Sequence, residues 1–222
     1  MDALLDCVEL QTSTAPEASV IWLHGLGADG YDFVPIVREL EALSVSRVRY
    51  VFPHAPMQPV TINGGQVMRA WYDILALDNS RQEDGAGVRA SQQQVGRLIE
   101  REVARGTPAA RIVLAGFSQG GAIALQTGLR WPAPLAGLLA LSTYLPLAAT
   151  LGSEASAANR TVPIFMAHGT GDPVIPIARG AASRDALIAA GYAVQWHQYP
   201  MPHSVSAEEL RDLAQFLKGV LT

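Results

Sequence analysis

Residues Gly116-Phe117-Ser118-Gln119-Gly120 have the spacing G-x-S-x-G, which presents a serine hydroxyl on a sharp turn where it can attack a carbonyl carbon. An apolar, strand-like run precedes them at residues 112–115, and a helix-like run follows at residues 121–129. Gln119 is expected to open that helix, whose free N–H groups favour a negatively charged oxygen beside the serine. The alternative is a glycine-rich turn with an incidental serine.

A serine nucleophile needs a base, and the base needs an orienting acid, in the chain order serine, acid, histidine. Three histidines follow Ser118, namely His168, His197 and His203. His197 lies inside a predicted strand, where a structural role is expected, and His168 requires an acid before it. His203 lies between the last predicted strand and the last helix, where catalytic groups of parallel sheets gather. We therefore predict His203 as the base.

The acid follows by elimination, because only Glu154, Asp172 and Asp185 lie between Ser118 and His203. Glu154 belongs to a loop rich in serine and alanine, and Asp185 falls on a predicted helix with a solvated face. Asp172 follows a predicted strand directly, so it is the predicted acid. Its alternative role is that of a turn residue or helix N-cap.

A second backbone donor for a negatively charged oxygen is expected in the loop after an earlier strand. Residues His24-Gly25-Leu26-Gly27 follow such a strand, so the N–H groups of Leu26 and Gln119 are the predicted oxyanion pair. Residues 25–30 also spell the dinucleotide-binding pattern G-x-G-x-x-G. That interpretation needs an acid after the next strand, and residues 50–54 contain none.

The elements that must position these residues alternate between strand and helix, which predicts a mostly parallel sheet covered by helices on both faces. The predicted strands are residues 20–23, 48–52, 112–115, 135–141, 163–167 and 194–199, with an edge strand at 4–10. The predicted helices are residues 32–43, 87–105, 120–129, 177–190 and 207–221.

Residues 53–77 form a long insertion of the kind that often serves as a lid or binding loop. As a group, its apolar side chains suggest an acyl-binding site, although each could instead pack a small core beneath the loop. These side chains are Ile62, Met68, Trp71, Tyr72, Leu75 and Leu77.

The composition predicts one globular domain over residues 1–222, since 49% of the residues are hydrophobic and 16% are charged. A net charge of -4 without a basic cluster argues against a nucleic-acid partner.

Cys7 is the single cysteine, and the first residues lack the pattern of a signal peptide, so the cytoplasm is the expected location. Residues 131–153 carry no charge, but three prolines interrupt them, which predicts a buried strand rather than a transmembrane segment.

The chain resembles the α/β-hydrolase carboxylesterases that group with lysophospholipases and acyl-protein thioesterases. The resemblance rests on blocks that run in order from near residue 20 to near residue 205: HGLG at 24–27, FPHAP at 52–56, VTINGG at 60–65, RAWYD at 69–73, GFSQGG at 116–121, LSTYLP at 141–146, HGTGDP at 168–173 and MPHSV at 201–205. It implies a single-domain α/β-hydrolase that cleaves small-molecule, lipid or acylated-protein esters without metal or organic cofactor.

The resemblance implies the same triad, Ser118, Asp172 and His203, and the same oxyanion donors. It also implies that an acyl groove is bordered by Leu26, Leu75, Leu77, Tyr144 and Val174. Two other functions stay open from the sequence: a non-catalytic relative that binds an acyl ligand, and an amidase or peptidase on the same triad. The sequence does not determine the oligomeric state, and a homodimer is one option.

Overall fold

Seven strands form the central sheet of the computed structural model, which describes residues 4–75 and 83–221. The sheet order is β1-β3-β2-β6-β7-β8-β9, with β1 antiparallel to β3 and every other neighbouring pair parallel. The strands of the described residues are β1 (Cys7–Gln11), β2 (Ala18–Leu23), β3 (Val48–Pro53), β4 (Met57–Val60), β5 (Gln66–Arg69), β6 (Ile112–Phe117), β7 (Gly137–Leu141), β8 (Ile164–Gly169) and β9 (Val194–Tyr199).

Helices cover the sheet on both faces. The α-helices of the described residues are α1 (Ile36–Ala42), α2 (Gly85–Ala104), α3 (Gln119–Arg130), α4 (Leu151–Glu154), α5 (Ile177–Ala189) and α6 (Ala207–Leu221). The first apolar core lies between the sheet and α2, α3 and α5. The second lies between the sheet and α1 and α6. The predicted mostly parallel α/β architecture is confirmed.

Strand β2 illustrates why the sheet needs both layers. Its side chains alternate, with Ile21 and Leu23 in the first core and Val20 and Trp22 in the second. All four are buried, which is the pattern of a parallel strand covered on two faces. These strands run parallel, so the carboxyl ends of β2, β6, β7, β8 and β9 lie at the same edge of the sheet. The loops at that edge carry the predicted site residues.

One local prediction from the sequence is wrong, and one local feature was not predicted. Helix α1 begins at Ile36 rather than at residue 32, because residues 31–35 form turns and Pro35 stands at the N-cap. The insertion at 53–77 contains an antiparallel hairpin of β4 and β5, which the sequence analysis did not predict. Residues 31–35 form turns, and the strands of the hairpin have only four residues each. Such short segments show little of the hydrophobic periodicity from which helices and strands are predicted.

The uncharged stretch at residues 131–153 contains the buried strand β7, as predicted. None of the helices in the two described ranges combines the length and the apolar character needed to cross a bilayer.

Candidate active site

Ser118 stands on the tight turn between β6 and α3. Its backbone has φ 56° and ψ -121°, a conformation that residues with side chains rarely adopt and that costs on the order of 1–3 kcal/mol. A Cβ on Gly116 would lie 2.4 Å from the backbone of Gly120, and a Cβ on Gly120 would lie 2.3 Å from the carbonyl oxygen of Leu23. The turn therefore depends on both glycines of the G-x-S-x-G spacing.

Two hydrogen bonds hold the strained serine against the end of β7. The N–H of Ser118 donates to the carbonyl of Leu141 at 2.9 Å. The hydroxyl of Thr143 donates to the carbonyl of Ser118 at 2.6 Å. These bonds offset part of the backbone strain and fix the direction in which the serine side chain leaves the sheet.

Asp172 and His203 are joined by a hydrogen bond of 2.6 Å between the aspartate Oδ2 and the histidine Nδ1. The carboxylate of Asp172 is fully buried. Its other oxygen, Oδ1, accepts the N–H groups of Val174 at 2.8 Å and Ile175 at 2.9 Å. Both oxygens of the buried carboxylate are thus satisfied, and with Nδ1 as donor the neutral ring keeps Nε2 as its basic nitrogen.

The histidine and the glycine loop after β2 both reach the serine turn. The ring of His203 lies against Phe117, the residue before Ser118, with 4.6 Å between ring centroids. A Cβ on Gly25 would lie 3.5 Å from the Cβ of Ser118. Residues from the ends of β6, β8 and β9 and from the loop after β2 therefore lie close together at one edge of the sheet.

His168 is a buried residue of this site to which sequence reasoning assigned no role. Its Nε2 donates to the carbonyl of Ile175 at 2.8 Å and lies 3.5 Å from Oδ2 of Asp172. Burial lowers the pKa of His168, which favours the neutral form of the ring. His168 supports the loop that carries Asp172. The only indication of this role in the sequence is that His168 lies four residues before Asp172.

The rejected candidates lie in other surroundings. His197 stacks on Phe165, with ring centroids 4.6 Å apart, on the face of the sheet covered by α6. Glu154 pairs with two arginines, and Asp185 is exposed and pairs with the neighbouring Arg184. Burial raises the pKa of Cys7 to about 11, so this thiol is not a thiolate nucleophile at neutral pH.

The two predicted oxyanion donors belong to different elements. Gln119 is the first residue of α3, so its N–H is one of those that a helix leaves without an internal partner. Leu26 lies in the turn after β2, and within the described ranges its N–H forms no hydrogen bond to the backbone. Both N–H groups stay predicted donors to a ligand.

The predicted acyl-groove residues differ in their surroundings. Leu75 and Val174 expose 39% and 60% of their surface, which leaves them accessible to a ligand. The Tyr144 hydroxyl lies 2.7 Å from that of Tyr72. Leu77 lies outside the described residues.

The apolar insertion residues divide into two groups. Trp71 and Tyr72 are buried in the first core, so the packing interpretation applies to them. Ile62 and Met68 are half-buried. The side-chain amide of Gln119 accepts the N–H of Trp71 at 2.8 Å and donates to the carbonyl of Tyr72 at 2.7 Å. This contact between the insertion and the serine turn was not predicted from the sequence.

The fold and the geometry at its sheet edge define the class of the α/β-hydrolases. Residues 6–221 match the model of the Phospholipase/Carboxylesterase family, and the chain belongs to that family. It is therefore an enzyme, a serine hydrolase of the esterase and thioesterase type.

Several relatives have a more specific name. The chain is 43% identical over 227 residues to acyl-protein thioesterase 1 of Mycosarcoma maydis, covering 95% of this chain and 94% of that protein. It is 43% identical over 209 residues to acyl-protein thioesterase 1 of Neurospora crassa, covering 90% and 85%.

Solved structures agree with this relationship. Arabidopsis thaliana SOBER1 superposes with a TM-score of 0.88 at 32% identity, over 92% of this chain and 99% of that chain. Zea mays acyl-protein thioesterase 2 superposes with a TM-score of 0.85 at 29% identity, over 98% and 99%.

Proposed function

We propose that Ser118, Asp172 and His203 cleave acyl esters and thioesters through an acyl-enzyme. The hydroxyl oxygen of Ser118 attacks the acyl carbon while Nε2 of His203 takes the hydroxyl proton. Asp172 stabilises the imidazolium that results. The imidazolium then gives its proton to the departing alcohol or thiol. Water, deprotonated by the same ring, attacks the acyl-enzyme and releases the carboxylic acid. The observation that carries this proposal is the 2.6 Å bond between the buried carboxylate of Asp172 and His203, next to the strained serine.

The oxyanion of each tetrahedral intermediate is stabilised by the N–H groups of Leu26 and Gln119. Gln119 lies next to Ser118 in the chain, and the approach of Gly25 to the Cβ of Ser118 brings the turn that contains Leu26 to the same side. Two fixed donors stabilise developing charge without reorganisation during the reaction.

The proposed substrate is an acylated protein in which a cysteine carries the acyl chain as a thioester. The relatives named acyl-protein thioesterase support this choice. The thiol of cysteine has a pKa of about 8.5, so its thiolate is a weak base. The departure of a thiolate therefore needs less help from a proton donor than the departure of an alkoxide. We place the acyl chain along Leu26, Leu75, Leu77, Tyr144 and Val174. The cytoplasmic location stays a prediction, and the oligomeric state stays open.

The test of the nucleophile is Ser118→Ala, with Ser153→Ala as a matched control because Ser153 is exposed on α4. Loss of the nucleophile disables the whole triad, so we expect turnover to fall on the order of a million-fold while the control keeps wild-type turnover. A fluorophosphonate should label the wild type and the control on Ser118. Activity retained in Ser118→Ala, or labelling on another residue, would contradict the proposal.

The test of the substrate class compares one acyl chain in three linkages: an S-acyl peptide, an O-acyl ester and an N-acyl amide. A lysophospholipid forms a fourth arm. We expect kcat/KM to be highest for the thioester. Equal or faster cleavage of the amide would favour the amidase alternative, and binding of all four without turnover would favour the non-catalytic alternative.

A further inference from the structure

The turn that carries Leu26 is held on both sides of that residue. On one side, Nδ1 of His24 donates to the carbonyl of Gly25 at 2.7 Å. On the other side, the N–H of Gly27 donates to the carbonyl of Arg69 at 2.9 Å. Gly27 has φ 75°, a conformation that favours glycine. The peptide plane that contains the Leu26 N–H is therefore fixed between two bonded neighbours.

Apart from its backbone N–H, each polar atom of His24 forms a hydrogen bond: the two ring nitrogens bond backbone groups, and the carbonyl bonds a side chain. Nε2 accepts the N–H of Ala55 at 3.0 Å, and the indole N–H of Trp71 donates to the carbonyl of His24 at 2.9 Å. The Ala55 bond requires an unprotonated Nε2, and the Gly25 bond requires a proton on Nδ1, so the ring is neutral in one tautomer. Burial lowers the pKa of His24 to about 4, which keeps the ring neutral at pH 7.

Two further bonds close these contacts into a frame. Arg69 Nη1 donates to the carbonyl of Ala55 at 2.8 Å. The Gln119 side chain binds the backbone of Trp71, as described above. The frame consequently links the turn around Leu26 to the residue whose N–H is the other proposed donor. It joins the HGLG, FPHAP, RAWYD and GFSQGG blocks, which lie far apart in the sequence.

We propose that His24 and Trp71 are positioning residues of the oxyanion hole, which hold the Leu26 N–H towards the reacting oxygen before substrate arrives. This inference rests on the proposed function of Ser118 and Leu26. A histidine that merely filled the core would pack its ring among apolar side chains, whereas this ring bonds the backbone of two loops that border the serine turn. Its effect on the reaction is expected in the transition state, where the oxyanion forms, and not in substrate binding.

The first experiment measures kcat and KM for His24→Ala and His24→Asn. Removal of one oxyanion donor lowers kcat about 100- to 1000-fold, so we expect His24→Ala, which displaces the donor, to lower kcat 30- to 100-fold, with KM changed less than about threefold. The asparagine amide can donate to Gly25 from nearly the position of Nδ1, so His24→Asn should recover part of the loss. Trp71→Phe, which removes only the indole N–H, should cost about tenfold.

The matched control is His54→Asn, because Nδ1 of His54 also accepts a backbone N–H in this region, that of Gly30 at 3.0 Å. It makes no contact with the turn at Leu26 among the bonds described here, and we expect its kcat within threefold of wild type. Melting temperatures identify variants that fail to fold. If His24→Ala is among them, His24→Asn and Trp71→Phe carry the test.

The decisive readout is inhibition by an acyl trifluoromethyl ketone, whose adduct with a serine carries an oxyanion. Across the variants, its Ki should rise in proportion to the fall in kcat/KM, while the Ki of the corresponding unreactive alcohol stays constant. A purely structural role would alter both inhibitors or neither. Wild-type kcat in His24→Ala, or a loss of kcat without a change in the ketone Ki, overturns the inference. Activity in Ser118→Ala would instead overturn the proposed function.

Discussion

Replacement of Asp172 by asparagine is the sharpest perturbation of the proposed triad, because it changes one atom of a fully buried side chain. In the wild type, Oδ1 accepts two backbone N–H groups and Oδ2 accepts the Nδ1 proton of His203. The asparagine oxygen can keep the two backbone bonds, which leaves its NH2 group facing His203. Nδ1 must then become an acceptor, and the ring proton moves to Nε2.

The magnitude follows from this change of tautomer. A protonated Nε2 cannot take the serine proton, and the imidazolium that would form has lost its counter-charge. Where the same substitution has been made in a Ser-His-Asp triad, turnover falls about ten-thousand-fold with the geometry intact. We expect a loss of this size in kcat for Asp172→Asn, without loss of the fold.

The assay is steady-state hydrolysis of a p-nitrophenyl ester and of an S-acyl peptide, with circular dichroism and the melting temperature as checks of folding. Asp185→Asn is the matched control, because Asp185 is exposed and pairs only with Arg184 among the described residues. Glu154→Gln is a second control for turnover. A folded Asp172→Asn variant within tenfold of wild-type kcat, or an equal loss in Asp185→Asn, would refute the assignment of the acid.

Two further predictions concern acyl preference and pH. Each buried methylene contributes about 0.8 kcal/mol, or roughly fourfold in kcat/KM, so Leu75→Ala should flatten the rise of kcat/KM with acyl length on p-nitrophenyl esters while acetyl turnover changes little. An unchanged chain-length profile would assign Leu75 to packing instead. Burial raises the pKa of Glu209 from 4.5 to about 8, so the stability from its neutral carboxyl is present below pH 4.5 and is lost as the pH rises through 8. Glu209→Gln should therefore be more stable than wild type at pH 9, by on the order of 2–4 kcal/mol, and similar at pH 4, as measured by urea unfolding; equal stability at pH 9 would show that Glu209 ionises freely.

The sequence by itself determined the features that depend on neighbouring residues. The serine turn between strand and helix could be predicted because its glycines and its apolar flanks lie within a few positions of Ser118. The parallel sheet followed from the alternation of strands and helices. The proposal of Asp172 as the acid followed from the three acids between Ser118 and His203 and from the element on which each was predicted to lie. These features depend on residues that are close together in the chain or on the order of residues along it, so a single sequence is enough to predict them.

Only the tertiary structure decided how distant segments bond to one another. The 2.6 Å bond between Asp172 and His203 and the frame around His24 each depend on how loops that are far apart in the sequence pack against one another. The bond from Trp71 to His24 spans 47 residues and joins an indole to a backbone carbonyl. Such a bond leaves no periodicity in the sequence, because a backbone carbonyl is common to every residue and only the fold brings one particular carbonyl within reach of Trp71.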